Sequence, residues 1–327
     1  MQVGGQAVIE GVMMRGPGVV ATAVRRADGQ IVVQKQPYVS LSERNKLFKL
    51  PVLRGGVGLF EMLALGIKSL NYSAEVSLQD ADLSHRKNGD GHGEGRTPQQ
   101  KTRESLTLWF TVVFSLVVGI AVFFVVPLVV TTSLFNIEQE PLAFNVAAGG
   151  FRILLLTLYL GAISMMKDIK RLFAYHGAEH KAVYAFERGD ELSVAGAAGQ
   201  SRFHPRCGTS FLLIVMLVAV LLFSVLDAIM MMWLGSIHIA TRFITHLPLI
   251  PLIAGVSYEL IKASARRSET SFGKIIVAPG LWLQRITTRE PDESQLEVAL
   301  AALRCALGED RAGETVRRDA LQEVSLN

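Results

Sequence analysis

The sequence predicts a mainly α membrane protein: four transmembrane helices with a small cytoplasmic α+β portion. Three observations carry that expectation. Half of the 327 residues are hydrophobic and only 19% are charged, less charge than a soluble domain of this size carries. Nearly uncharged runs as long as the roughly 20 residues that cross a bilayer recur along the chain. Lysine and arginine gather at one end of those runs, the pattern that fixes the cytoplasmic side.

Residues 1–50 read as a small cytoplasmic β unit. Ala7-Val8-Ile9 is a short apolar run, punctuated by Gly11 and Gly16-Pro17-Gly18. Val19–Val24 and Ile31–Gln34 then flank Asp28-Gly29, a hairpin turn. Pro51 opens a helix over 51–75 in which Arg54, Glu61 and Lys68 form one polar stripe. Leu53, Val57, Phe60, Leu63, Ile67 and Leu70 make the rest of it apolar, as in a helix lying on the membrane surface or against the bundle. Residues 76–104, polar and rich in Gly and Asp, bury too little to fold and read as a flexible linker. His85 and His92 fall there and receive no site role.

The first span is 105–137, uncharged from Ser105 to Ile137. The second, 142–166, carries only Arg152, and the third, 208–236, only Asp227. The fourth, 243–263, has Glu259 as its sole charge up to Ile261. Between the second and third lies the segment 167–207, with Lys167, Lys170, Arg171, Lys181, Arg188, Arg202 and Arg206. That asymmetry places this segment and both termini in the cytoplasm. The opening residues lack a basic stretch followed by an apolar core, so no secretory signal is expected. Cys207 and Cys305 then sit on the reducing side, where a structural disulfide is not expected. In the C-terminal segment, 264–327, Pro279-Gly280 reads as a turn. Pro291 starts a helix with Leu296, Leu300, Leu303 and Leu307 on one face, and the tail beyond Gly308 is polar.

The chemistry concentrates in His176-Gly177-Ala178-Glu179-His180, an H-x-x-E-H segment, the order of the inverted zinc-peptidase helix. Positions four apart share a helix face, so both imidazoles can hold one ion while Glu179 stands beside them as a base for water. The second span is expected to continue as one helix through this segment to Glu187, with Gly189 as its stop. A catalytic zinc takes three protein ligands and leaves one position for water. Glu259, near the inner end of the fourth span, is one candidate for the third ligand, with a salt bridge to Lys262 or a loop arginine as the alternative. His204 and Cys207, in H-x-x-C spacing, are the others. If both bind with His176 and His180, the tetrahedron is full and the site structural. If Glu259 binds instead, it stays open.

Arg152 and Asp227 fall at similar depth with opposite sign and read as an interhelical ion pair. His238 and His246 read as interfacial, and Met230-Met231-Met232 as apolar filler. The stretch Gly4–Pro17 is either a structural turn or a lid over the cytoplasmic site.

These blocks resemble the bacterial YqhQ-like membrane proteins. The resemblance rests on Gly4–Pro17, Tyr175–Lys181, Phe203–Phe211, Ala254–Glu259 and Ala278–Gln284, in that order along the chain. It implies a metal-dependent enzyme without naming a reaction, in a bacterial inner membrane. The residues themselves lead to a cytoplasm-facing site, zinc by its donors, in a hydrolase of peptidase type. The rival is a non-catalytic scaffold or assembly factor with a structural metal. Transport has weaker support, because the intramembrane charges form no path. The expected partners are the lipid bilayer and a protein partner or substrate, with no nucleic acid.

Overall fold

The glycine-rich N-terminus forms a β-meander in the computed structural model, which describes residues 3–87, 110–265, 270–309 and 315–318. Strands β1 (Gly4–Val8), β2 (Gly11–Gly16), β3 (Val19–Arg25) and β4 (Ile31–Pro37) pair antiparallel in sequence order. Gly29 turns the expected β3–β4 hairpin at φ 88°, and Glu10 takes the left-handed region at φ 52° between β1 and β2. Gly4–Pro17 is therefore a β-hairpin. A fifth strand, β5 (Thr315–Arg318), lies parallel to β4. Part of the polar tail is thus sheet, because edge pairing uses main-chain groups and needs no apolar pattern.

Alternate residues face opposite sides of a strand, and here both sides are covered. Val12, Met14, Ala21, Ala23 and Val33 share a core with residues of two later helices, among them Tyr175, Ala182, Ala299 and Leu303. Val8, Met13, Val20, Val24 and Val32 pack instead with Val76 and Tyr72.

Those last two residues belong to a long helix. After the short α1 (Leu41–Arg44), α2 runs Leu53–Lys87, so residues 76–87 of the expected linker are helical. The reason is tertiary: Val76 is buried on the sheet, and Asp80 accepts hydrogen bonds from Arg26 Nε and the Ala27 amide at 2.8 and 2.7 Å. The linker residues 88–104, with His92, lie outside the described residues.

The chain continues through α3 (Phe110–Leu134), α4 (Pro141–Ile163), α5 (Lys167–Arg188), α6 (Val194–Ala198) and α7 (Gly208–Leu234). Next come α8 (Ile239–His246), a 3-10 turn (Leu247–Leu249) and α9 (Ile250–Ala265). Among the described residues four helices, α3, α4, α7 and the stretch Ile239–Ser264, are long and apolar enough to cross a membrane, by length and composition. They overlap the four apolar runs of the sequence. Phe114, Leu221, Ile244 and Leu252 are exposed on them, the surface that contact with a lipid bilayer calls for.

The second span does not run on into the H-x-x-E-H helix. The helix ends at Ile163, Met166 is extended (φ −70°, ψ 141°), and α5 starts afresh at Lys167. That break lets α5 turn onto the sheet. Gly189 does end α5, in the left-handed conformation at φ 73°.

Pro279-Gly280 is not a turn either. It lies inside a single helix, α10 (Ser271–Thr287). At Gly280 a Cβ would sit 2.3 Å from the Ser210 side chain, so the missing side chain is what lets α10 cross α7. The helix expected after Pro291 is α11 (Glu293–Leu307), opened by an Asp292–Gln295 capping box. Leu296, Leu300 and Leu303 are buried as their spacing predicts.

The charges within the apolar helices pair differently from expectation. Asp227 takes Arg242 Nε at 2.8 Å, His246 Nε2 at 2.9 Å and Asn145 Nδ2 at 2.7 Å, not Arg152. His246 is therefore buried rather than interfacial, stacked on Phe223 with ring centroids 3.9 Å apart. His238 is exposed, as expected.

Candidate metal centre

The centre is assembled where α5, the loop before α7 and the end of α10 meet. On α5, His176 and His180 stand one turn apart with ring centroids 4.5 Å from each other. Cys207 is the N-cap of α7. One ligand atom from each of His176, His180 and Cys207 lies within 4.8 Å of the others. His180 and Cys207 are buried, and His176 is partly exposed.

Tautomers follow from the main chain. His176 Nδ1 lies 2.8 Å from the carbonyl of Thr287, and His180 Nδ1 lies 2.5 Å from that of Arg202. A carbonyl oxygen only accepts, so each Nδ1 carries the proton and donates it. Each ring then turns Nε2 toward the cluster, the outer-shell arrangement that orients metal-ligating histidines. His176 Nε2 meets Cys207 Sγ at 3.1 Å. His180 Nε2 is buried without a hydrogen-bond partner, a cost of about 1–3 kcal/mol for an orphaned polar atom. Its neighbour is the buried Glu179 carboxylate, at 3.5 Å. Two imidazoles, a thiolate and one orphaned lone pair fit a zinc ion.

Without an ion, burial would push the His176 imidazole down and the Cys207 thiol up. Their mutual attraction wins over both. It raises His176 to about 9 and holds Cys207 well below the ordinary thiol range. Burial pushes His204 the other way, to about 4.

Small residues and one amide position these groups. At Gly177 a Cβ would lie 2.0 Å from the Arg289 carbonyl oxygen. The Arg289 amide bonds the Phe173 carbonyl at 2.8 Å, so α5 is stitched to the segment that carries Thr287. Gly5 likewise lets β1 come close to α5: a Cβ there would stand 3.0 Å from Glu179 Cγ. Gly4–Pro17 is thus a hairpin whose first strand meets Glu179 through Gly5. Gln284 of α10 is buried and clamps the cysteine loop. Its amide donates to the His204 carbonyl and Ser210 Oγ at 2.8 Å each and accepts from the His204 amide at 2.8 Å. Thr209 Oγ1 lies 3.2 Å from Cys207 Sγ, so it serves the thiol rather than capping α7.

Not every candidate ligand arrives. Glu259 is gripped by the Arg54 guanidinium through two hydrogen bonds, one of them 2.6 Å. That pairing is the salt-bridge alternative, with a partner on α2. His204 lies beside the cluster, its ring 5.6 Å from that of His180, but both its nitrogens are engaged elsewhere. Nε2 faces Glu187 at 3.3 Å, and Nδ1 accepts from the Arg206 amide at 3.3 Å. Thr287, Arg202 and Gln284 were missed by sequence reasoning. Two of them act through main-chain carbonyls, which no residue type encodes. Gln284 falls within the Ala278–Gln284 block, the only signal it left.

A family described as "Protein of unknown function (DUF1385)" matches residues 50–309. The chain is 33% identical to "Uncharacterized protein YqhQ" of Bacillus subtilis (strain 168) over 329 aligned residues, covering 98% of this chain and 94% of that protein. No solved structure matches. By coverage and identity alike, the chain belongs to the DUF1385 family of YqhQ-like proteins.

Proposed function

We propose that this chain is a multi-pass protein of the bacterial cytoplasmic membrane, with both termini inside. It holds one zinc ion on His176, His180 and Cys207 to hydrolyse a peptide or amide bond. The observation that carries the metal reading is the convergence of one ligand atom each from His176, His180 and Cys207 to within 4.8 Å of one another, each imidazole held through Nδ1 by its own backbone carbonyl. Three protein ligands leave the fourth position for water. A bound zinc supplies the acidity that makes that water a nucleophile near neutral pH. Glu179, beside His180, takes the proton and returns it to the leaving amine. The basic segment from Lys167 to Arg206 supports the cytoplasmic placement of the site.

The enclosure of the cluster favours a second reading. Glu179, His180 and Cys207 are each less than a tenth exposed. In this reading the Glu179 carboxylate is the fourth ligand, the site is structural, and the protein is a scaffold.

Metal analysis of the purified full chain tests the shared premise. A single zinc per chain is expected, lost in the His176→Ala/His180→Ala double variant. Protein that emerges metal-free from zinc-supplemented cells sinks both readings.

A further inference from the structure

Arg152 lies roughly 16 Å along α4 from its Pro141 end, taking 1.5 Å per residue. It is only 5% exposed, and its Nε and Nη2 are buried with no hydrogen-bond partner. Guanidinium does not lose its proton in a protein, so this is a permanent charge inside an apolar bundle. Among the described residues the carboxylate within electrostatic reach of it is Asp227, which already spends both oxygens on Arg242, His246 and Asn145. Glu138 and Glu140 stand in the α3–α4 loop, partly exposed and exposed. Two guanidiniums against one carboxylate leave an excess of one positive charge. An uncompensated charge in such surroundings is costly, and charged groups within spans normally mark a binding partner.

The immediate surroundings say what the partner is. The guanidinium carbon lies over the Phe124 and Phe223 rings, 5.3 and 5.6 Å from their centroids, and Nε and Nη2 are the N–H groups left to be satisfied. Water satisfies donors without cancelling charge. A dianion overshoots an excess of one. We propose that Arg152 anchors a site for one small monovalent anion, of halide or nitrate class, inside the helical bundle. Arg242 Nη1, a second buried donor without a partner, belongs to the same network. The inference rests on the helical bundle of the proposed placement, and it is independent of the metal centre.

The test uses the full chain in lipid nanodiscs, in gluconate buffer titrated with chloride at constant ionic strength. Wild type is expected to show a saturable rise of several degrees in its unfolding midpoint, as binding linkage requires. Arg152→Met removes the excess charge, so in gluconate it should match or exceed wild-type stability and show no chloride response. Arg152→Lys should retain a weaker one. Chloride quadrupolar line broadening on the wild-type protein, competed by bromide, gives a readout that needs no variant. A wild type indifferent to chloride in both measurements, or Arg152→Met responding as wild type does, overturns the proposal. Failure of the protein to fractionate with membranes would sink the placement instead, and leaves the chloride result readable.

Discussion

Gly177 touches the Arg289 carbonyl: a Cβ at this position would lie 2.0 Å from the oxygen. The second residue of H-x-x-E-H is therefore as constrained as its histidines, because α5 must reach the chain that delivers the Thr287 carbonyl to His176. Gly177→Ala forces the two segments apart. The expected cost is about 1–3 kcal/mol of stability, as for other overpacked sites. Zinc affinity should fall about 10–100-fold through the lost carbonyl partner, the usual size of an outer-shell effect. Thermal unfolding and competition with a chelator read the two separately. A variant with wild-type affinity would show that the Thr287 carbonyl does not orient His176.

Metal binding should depend on pH in a defined direction. His176 is raised to about 9 by the Cys207 thiolate, so below that pH the metal-free pair holds a proton on the imidazole. The ion must displace it, and affinity rises with pH by about tenfold per unit until the imidazole is neutral near 9. The gain is lost as pH falls, because the proton then competes for the same Nε2. Chelator competition between pH 6 and 9 checks this. A flat profile would mean that Cys207 and His176 do not share a proton.

Glu179→Gln separates the two readings of the centre. If Glu179 is the base, zinc stoichiometry is unchanged. A cobalt-substituted variant then keeps the spectral titration of a metal-bound water, shifted from its wild-type position near pH 7, because the metal sets that acidity and the carboxylate only accepts the proton. If Glu179 is a ligand, the variant loses metal affinity and the wild-type cobalt spectrum shows no titrating water. The partner for comparison is His180, whose Nε2 stands 3.5 Å from the carboxylate.

Gln284 is expected to matter as much as a ligand's own loop. It is fully buried, and three hydrogen bonds tie it to His204 and Ser210. Gln284→Leu strands the His204 amide and carbonyl and the Ser210 hydroxyl, at about 1–3 kcal/mol for each orphan left unrescued. The loop carrying Cys207 should loosen, so loss of stability and loss of zinc affinity appear together. Gln284→Glu, which keeps an acceptor for the His204 amide, should recover part of both.

What the sequence made legible was periodic or compositional. Four apolar runs could be measured against bilayer thickness, and His176 and His180 share a helix face by spacing alone. Cys207 was legible as a ligand only as one of several, because spacing does not say which segment folds back onto α5. The carbonyls of Thr287 and Arg202 leave no mark in residue type. Helix 76–87 was illegible because its stability comes from Val76 and Asp80 docking on the sheet rather than from its own polar sequence. The Arg152–Asp227 pairing failed for a related reason. Arg242 lies on α8, just past the third apolar run, and depth counting along α4 and α7 leaves it out.

Glu259 shows how such an error is tested. A carboxylate near the end of the last long apolar helix demands a partner, and the metal was one answer. The structure supplies Arg54 instead, 205 residues away on the polar stripe of α2. Arg54 and Glu259 therefore join α2 to α9, at the point where Gly55 and Gly255 let the helices touch: a Cβ on Gly55 would sit 2.9 Å from the Gly255 Cα. Glu259→Gln keeps the shape and removes the charge, so it should leave zinc stoichiometry and affinity unchanged. Its effect should instead appear as faster proteolysis at the α2 end, and Arg54→Gln should reproduce it without adding to it in the double variant. Loss of zinc from Glu259→Gln would return this carboxylate to the ligand set and displace Cys207 or Glu179 from the arrangement argued above.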